Sequence, residues 1–257
     1  MRSFLFGVLI LLSACACPPV VPLPLYPGLN NELLANAVEQ ADRFTSLKSM
    51  ARVSIESDGQ TTNFTQALLL EKPNRLRLDV LSPFGSTYLQ AGTDGKVLKL
   101  FIPGKGKYFS GLPTPENFQL ITRTPVDAEQ MVNLLLYSIP LSSKDILDMG
   151  SRGQEGYVLE LAAPDGRQVL WFNRERQPVA SYWYHDATLI AEVVYGTLLG
   201  DPPFPREVKF SRPMDATSIK VVYTSPEPDA QIDEKLFTLE APPGALVEPF
   251  PLLPARQ

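Results

Sequence analysis

Residues 75–81, RLRLDVL, alternate without a break. Leu76, Leu78 and Val80 fall on one face of an extended chain, and Arg75, Arg77 and Asp79 on the other. A period of two suits a half-buried strand and does not suit a helix. The pattern recurs along most of the chain, interrupted at short turn signals. Residues 50–57 and 60–71 flank Asp58-Gly59, a two-residue hairpin signal. Ser82-Pro83-Phe84-Gly85 turns into a strand near 87–92, Asp94-Gly95 leads into 96–102, and Pro103-Gly104-Lys105-Gly106 leads into 107–110. After Gly150 the alternation resumes over 156–163, 167–174, 178–186, 189–196, 205–211 and 217–224. Strands this numerous, joined this tightly, form an antiparallel meander whose apolar face needs a cover.

Helical periodicity supplies the cover. Leu33, Leu34, Ala37, Val38, Ala41 and Phe44 recur at steps of three and four, which predicts a helix over 31–44. Thr124-Pro125-Val126-Asp127 reads as a capping box that opens a helix over 125–138, and Ser143 as the cap of a short helix over 143–149. Pro113 and Pro115 read as a break between the first meander and these helices. The expected fold is mainly β (α+β): a single strongly curved antiparallel sheet of about 11–12 strands, with helices on its concave apolar side. Such a sheet is an incomplete barrel, and its helices either fill the interior or leave a cavity. At 257 residues the chain holds one large domain, and no linker splits it.

The N-terminus bounds where this domain works. MRSFLFGVLILLSACAC has a positive Arg2 and an apolar run from Phe4 to Leu12, too short to span a bilayer and right for a secretory signal. Leu12-Ser13-Ala14-Cys15 follows directly and resembles the bacterial lipobox, so Cys15 is expected to become the acylated first residue of the mature chain. Two or more acyl chains make a stable anchor. Pro18, Pro19, Pro22, Pro24 and Pro27 then make an extended tether. The expected division is a signal peptide over 1–14, anchor and tether over 15–28, the sheet domain over 29–245 and a Pro-rich tail over 246–257. Cys15 and Cys17 are the only cysteines, so no disulfide framework holds the domain. A net charge of −5 and a single histidine argue against nucleic acid and anionic headgroups as main partners.

Three stretches carry a family resemblance. Residues 74–90, NRLRLDVLSPFGSTYLQ, look like the LolB segment in which a charged-apolar strand leads to Asn-Pro-Leu-Gly and the next strand. Residues 138–150, SIPLSSKDILDMG, look like its Pro-Ile-Pro-Leu…Leu…Trp…Gly segment, with Asp148 where tryptophan is usual. Residues 201–244 resemble the closing strands of the superfamily, down to a Phe…Leu…Pro-Pro-Gly ending. The chain thus resembles the LolA/LolB superfamily of lipoprotein carriers, and within it the LolB-like outer-membrane lipoproteins. The resemblance implies a half-barrel whose apolar cavity receives acyl chains, on the periplasmic face of the outer membrane. It also implies membrane contact through the anchor and cargo taken from a periplasmic LolA-like carrier. Candidate cavity residues are Leu76, Leu78, Val80, Leu98, Leu100, Ile102, Leu159 and Leu161 from the strands, with Met131, Leu134 and Leu135 from the helix over 125–138. Plain core packing explains each one singly; only the collection points to a cavity. In LolB-like proteins the apolar residue of the Pro-Leu-Gly turn projects toward the membrane. Phe84 holds that position here between Pro83 and Gly85, either projecting outward or folding back as a plug.

No catalytic constellation stands out. There is no second histidine to pair with His185, no G-x-S-x-G, and no cysteine away from the anchor. The chain is expected to be a non-enzyme without metal or cofactor. Trp171, Phe172, Tyr182, Trp183 and Tyr184 suggest a sugar or peptide platform, but strand propensity and core filling explain them as well. Two other functions stay open beside the carrier: an RseB-like lipid or envelope-stress sensor, and a structural lipoprotein with a packed interior.

Overall fold

The computed structural model describes residues 22–57, 59–122 and 126–251. Cys15, its lipobox and Thr124-Pro125 lie outside the described residues. Helix α1 (Leu29–Arg43) buries Leu29, Leu33, Ala37 and Gln40, one stripe at near-helical spacing. It leads into a meander of β1 (Ser46–Ser57), β2 (Gln60–Glu71), β3 (Arg75–Leu81), β4 (Thr87–Thr93), β5 (Leu98–Ile102) and β6 (Lys107–Gly111). Helices α2 (Pro115–Thr122) and α3 (Ala128–Leu135) follow. The second meander runs through β7 (Ile146–Ser151), β8 (Tyr157–Ala163), β9 (Gly166–Phe172), β10 (Pro178–His185) and β11 (Thr188–Tyr195). A small separate ribbon of β12 (Leu198–Leu199) and β13 (Phe204–Pro205) precedes β14 (Glu207–Arg212) and β15 (Thr217–Tyr223). Short β16 (Glu227–Pro228) and β17 (Leu246–Pro249) complete the strands among the described residues.

The two meanders are one sheet because the last long strand returns to the first. β15 pairs antiparallel with β1, giving the order β17-β6-β5-β4-β3-β2-β1-β15-β14-β11-β10-β9-β8-β7. The ends do not pair with each other, so the sheet is the incomplete barrel that the alternation predicts. Alternation fixes register by burial, since a one-residue slip turns every apolar side chain outward. One row shows this. Leu47, Leu70, Leu76, Thr93 and Leu98 are successive partners across five strands, and all five are wholly excluded from solvent. The helices pack on this apolar face, α1 against β8 and β10 and α3 against β3.

Four local expectations need correction. Residues 146–151 form strand β7, where a helix over 143–149 is expected. The Ser143 hydroxyl does accept the Asp145 N–H, the local bond that suggests a cap. A seven-residue helix is marginal, however, and the sheet edge offers Ile146 and Met149 partners in Leu161 and Leu159. The proline break at 113–115 contains α2, with Pro115 at the first helical position and the Thr114 carbonyl accepting from Phe118 N–H. Helix α3 starts three residues later than its pattern suggests, at a capping box of Asp127 and Gln130. Finally, the segment read as a tail is partly sheet. β17 pairs parallel to β6, and Phe250 stacks on Phe109 with centroids 5.9 Å apart. With β7, β16 and β17 added to the expected strands, the sheet has 15 strands rather than 11–12.

Candidate functional site

The candidate cavity residues come together, but as packed core. Leu76, Leu78, Leu98, Leu100, Leu134, Leu135, Leu159 and Leu161 are all buried in one continuous apolar cluster, with Ile102 and Met131 packed partly buried against it. Val80 is half-buried near the open end of β3. Two surface concavities, of about 690 and 410 Å³, include none of these residues. Leu33 of the predicted helical stripe fills the space, together with residues that no local pattern marks: Leu29 of α1, Phe118 of α2, and Val132, Leu136 and Tyr137 at α3.

Three buried tyrosines bind the helices to the sheet. The last carbonyls of a helix have no partner within it and need donors. Tyr195 Oη donates to the Leu134 carbonyl at 3.1 Å, and Tyr223 Oη to the Leu135 carbonyl at 2.7 Å. The chain then turns through Tyr137, whose backbone takes the left-handed φ of 58° and whose hydroxyl donates to the Pro178 carbonyl at 2.8 Å. Gln40 of α1 donates to the Tyr137 carbonyl at 3.2 Å, and Ser138 Oγ to the Ala41 carbonyl at 2.7 Å. Burial pushes the Tyr137, Tyr195 and Tyr223 hydroxyls well above the ordinary phenol range, so they stay protonated donors. No sequence pattern announces this latch, because its donors come from β11 and β15 and its acceptors from α3.

Phe84 points outward. It is 98% exposed, at the tip between β3 and β4. The tip closes with its own hydrogen bonds: Gly85 N–H to the Ser82 carbonyl at 2.9 Å, Ser82 N–H to the Ser86 carbonyl at 2.8 Å, and the two serine hydroxyls at 2.7 Å. Pro83 presets the backbone at the first central position, and Gly85 takes a φ of 82° that disfavours a side chain. A register shift past Val80 leaves Tyr88 of the same hairpin without a cross-strand partner on β3, and it is 65% exposed. At the opposite strand ends lie the β7–β8 and β9–β10 turns, where Leu23 N–H meets the Gly153 carbonyl at 2.8 Å. Asn36 of α1 donates to the Arg176 carbonyl there, and Lys72 of the β2–β3 turn to the Ala41 carbonyl, so α1 crosses that end.

The remaining candidates are dispersed. His185 is exposed on the β10–β11 turn, its Nδ1 2.6 Å from the Asp165 carbonyl. Phe172 is core, whereas Trp171 and Tyr182 contact each other at 4.6 Å, with Arg152 stacked over Trp171 at 3.5 Å. Among the described residues there is no group of three or more His, Cys, Asp or Glu placed to hold a metal. Nor is any helix among them long and apolar enough to cross a membrane.

No family model and no curated protein matches the chain in sequence. Solved structures share its fold. A DUF1329 family protein from Desulfovibrio piger matches with a TM-score of 0.55 at 14% identity, over 81% of this chain and 96% of that one. A putative outer membrane lipoprotein-sorting protein domain from Vibrio parahaemolyticus matches at 0.54 and 11%, over 81% and 97%. A LolA superfamily protein from Nitrosomonas europaea matches at 0.51 and 15%, over 82% and 97%.

Proposed function

We propose that this chain is a LolB-like lipoprotein, anchored through Cys15 on the periplasmic face of the outer membrane. It takes acyl chains of other lipoproteins from a LolA-like carrier and helps insert them into the membrane. The observation that carries this reading is Phe84, a bare aromatic on a turn that its own bonds hold rigid. Entering lipid, a phenylalanine side chain gains roughly 1.5–3 kcal/mol. That is enough to bias contact and too little to fix the tip there, which suits repeated delivery.

Loading is an exchange of apolar contacts. The leucines under α3 are already covered, so an acyl chain enters only as the helices give way. Each methylene buried then contributes about 0.8 kcal/mol, against the packing lost and the tyrosine bonds broken. The reading assigns no catalysis, because transfer by binding and release makes no covalent bond.

The two attachments to the membrane constrain the pose. Leu23 lies eight residue steps beyond Cys15, a reach of at most about 30 Å. A 12-residue strand such as β2 is about 40 Å long. With Leu23 tied at the strand ends opposite Phe84, the tip meets its own leaflet when the strands lie along the membrane.

Phe84→Glu tests the reading. The variant is expected to bind a fluorescent fatty acid and unfold like the wild type, yet lose most transfer of a lipoprotein from carrier to vesicles. Undiminished transfer sinks the role of Phe84, and absence of saturable fatty-acid binding by the wild type sinks the carrier altogether.

A further inference from the structure

Ten arginines lie among the described residues, and eight have partners. Seven meet a carboxylate, and Arg174 donates to the Gln154 carbonyl. Arg52 and Arg206 are the two that remain. Both are exposed, and neither side chain has a hydrogen bond, ion pair or ring contact among the described residues. Both line the same groove, the one of about 690 Å³ beside the start of β14 and the end of β15.

Register explains why they meet. Arg52 of β1 is the partner of Val222 on β15, and Tyr223 N–H donates to the Arg206 carbonyl at 3.0 Å on the other side of β15. Two strand spacings separate the two backbones, about 10 Å, so both long side chains serve one cleft. Its solvent-facing apolar lining is Leu199, Pro202 and Pro226, and behind it the almost wholly buried Phe44 and Phe204 meet edge to face at 5.2 Å. Two carboxylates share the lining. Asp229 accepts from Thr45 N–H and Oγ1 at 2.9 and 3.1 Å, and Asp201 is exposed; neither is within ion-pair distance of the arginines.

Two bare guanidinium groups facing one cleft, on a chain of net charge −5, make a local positive site for an anion. Each offers five N–H donors in a planar fork. One fork satisfies a carboxylate, whereas two match the larger number of acceptor oxygens on a phosphate. The exposed apolar side chains beside them fit carbon atoms joined to that phosphate. We propose that this groove binds the phosphate of an amphiphilic phosphate ester, with Arg52 and Arg206 on the oxygens and the exposed Leu199, Pro202 and Pro226 against the adjoining carbons. The site is separate from the interior beneath α3 and stands whether or not that interior takes acyl chains.

Calorimetric titration of the full chain tests it, with dihexanoyl phosphatidic acid below its micellar concentration, inorganic phosphate and hexanoate as probes. Phosphatidic acid is expected to bind saturably at one site, more tightly than either other probe and more weakly as salt is added. Arg52→Gln and Arg206→Gln are each expected to weaken it about tenfold or more, with unfolding midpoints close to wild type. A lipid held in the interior is indifferent to both arginines, so unchanged affinity in the variants overturns the proposal, as does an absence of binding. Inorganic phosphate binding as tightly as the lipid reassigns the groove to free phosphate, and equal binding of hexanoate removes the phosphate from the claim.

Discussion

The two ends of the strands treat similar aromatic side chains in opposite ways. At the tip of β3 and β4, Phe84 stands bare on a turn that satisfies its own backbone. At the other end Phe44, Phe204 and Tyr223 are almost wholly buried, and the Tyr223 hydroxyl is committed to the helix above it. Residue type does not decide this. The chain reverses at Phe84 within five residues and no described segment folds back over it, whereas α1 and the β12–β13 excursion cross the far ends. Stability is therefore concentrated under the helices, and the tip is free to change for contact with something outside the molecule.

Substitutions break or sharpen that contrast in a definite order. Leu76→Ala, in the middle of the fully buried row, is expected to cost roughly 2–5 kcal/mol in urea unfolding. A loss well below that range indicates an interior that collapses readily, which favours cargo exchange. Tyr223→Phe leaves the Leu135 carbonyl without its donor and is expected to cost about 1–3 kcal/mol while speeding fatty-acid uptake. Equal stability and equal uptake remove the latch from the loading step.

Alkali probes the same bonds without a substitution. Burial raises the tyrosine hydroxyls in the folded state, so the protonated form is the one that folding favours. Their contribution is complete below the ordinary phenol value of about 10 and is lost as pH rises beyond it. Stability measured against pH should fall above about pH 10, and fall less steeply in the Tyr223→Phe variant. At the tip the effects shrink. Gly85→Ala meets open space, but the φ of 82° makes it cost about 1 kcal/mol. Phe84→Glu is expected to move stability by no more than about 0.5 kcal/mol, and a larger drop means that Phe84 has a packing role.

Much of the sheet was legible because alternation and turn chemistry act over a few residues. RLRLDVL, the hairpin at 57–60 and the Pro-Phe-Gly turn all stand where their patterns place them. The misreadings share a cause as well. Residues 146–151 have a weak local preference that the free edge of β8 overrides, and Leu246–Pro249 becomes a strand because β6 presents an edge to it. Pro115 was ambiguous on its own, since proline opens a helix as readily as it ends one. For the site, Leu76 and its companions were legible as an apolar wall, but their packing against α1, α2 and α3 was not.

By itself the sequence determined the strand alternation, the rigid turn that carries Phe84, the charge balance and the apolar face that demanded helices. Those are properties of neighbours in the chain, set by backbone geometry and side-chain polarity. Only the tertiary structure decided that Phe84 is bare, that the wall is covered, and that Tyr195 and Tyr223 hold the last carbonyls of α3. It also decided that Arg52 and Arg206 face one groove with no partner among the described residues. Each of these depends on which distant strand lies alongside, and β15 reaches β1 only after the chain has laid down both meanders.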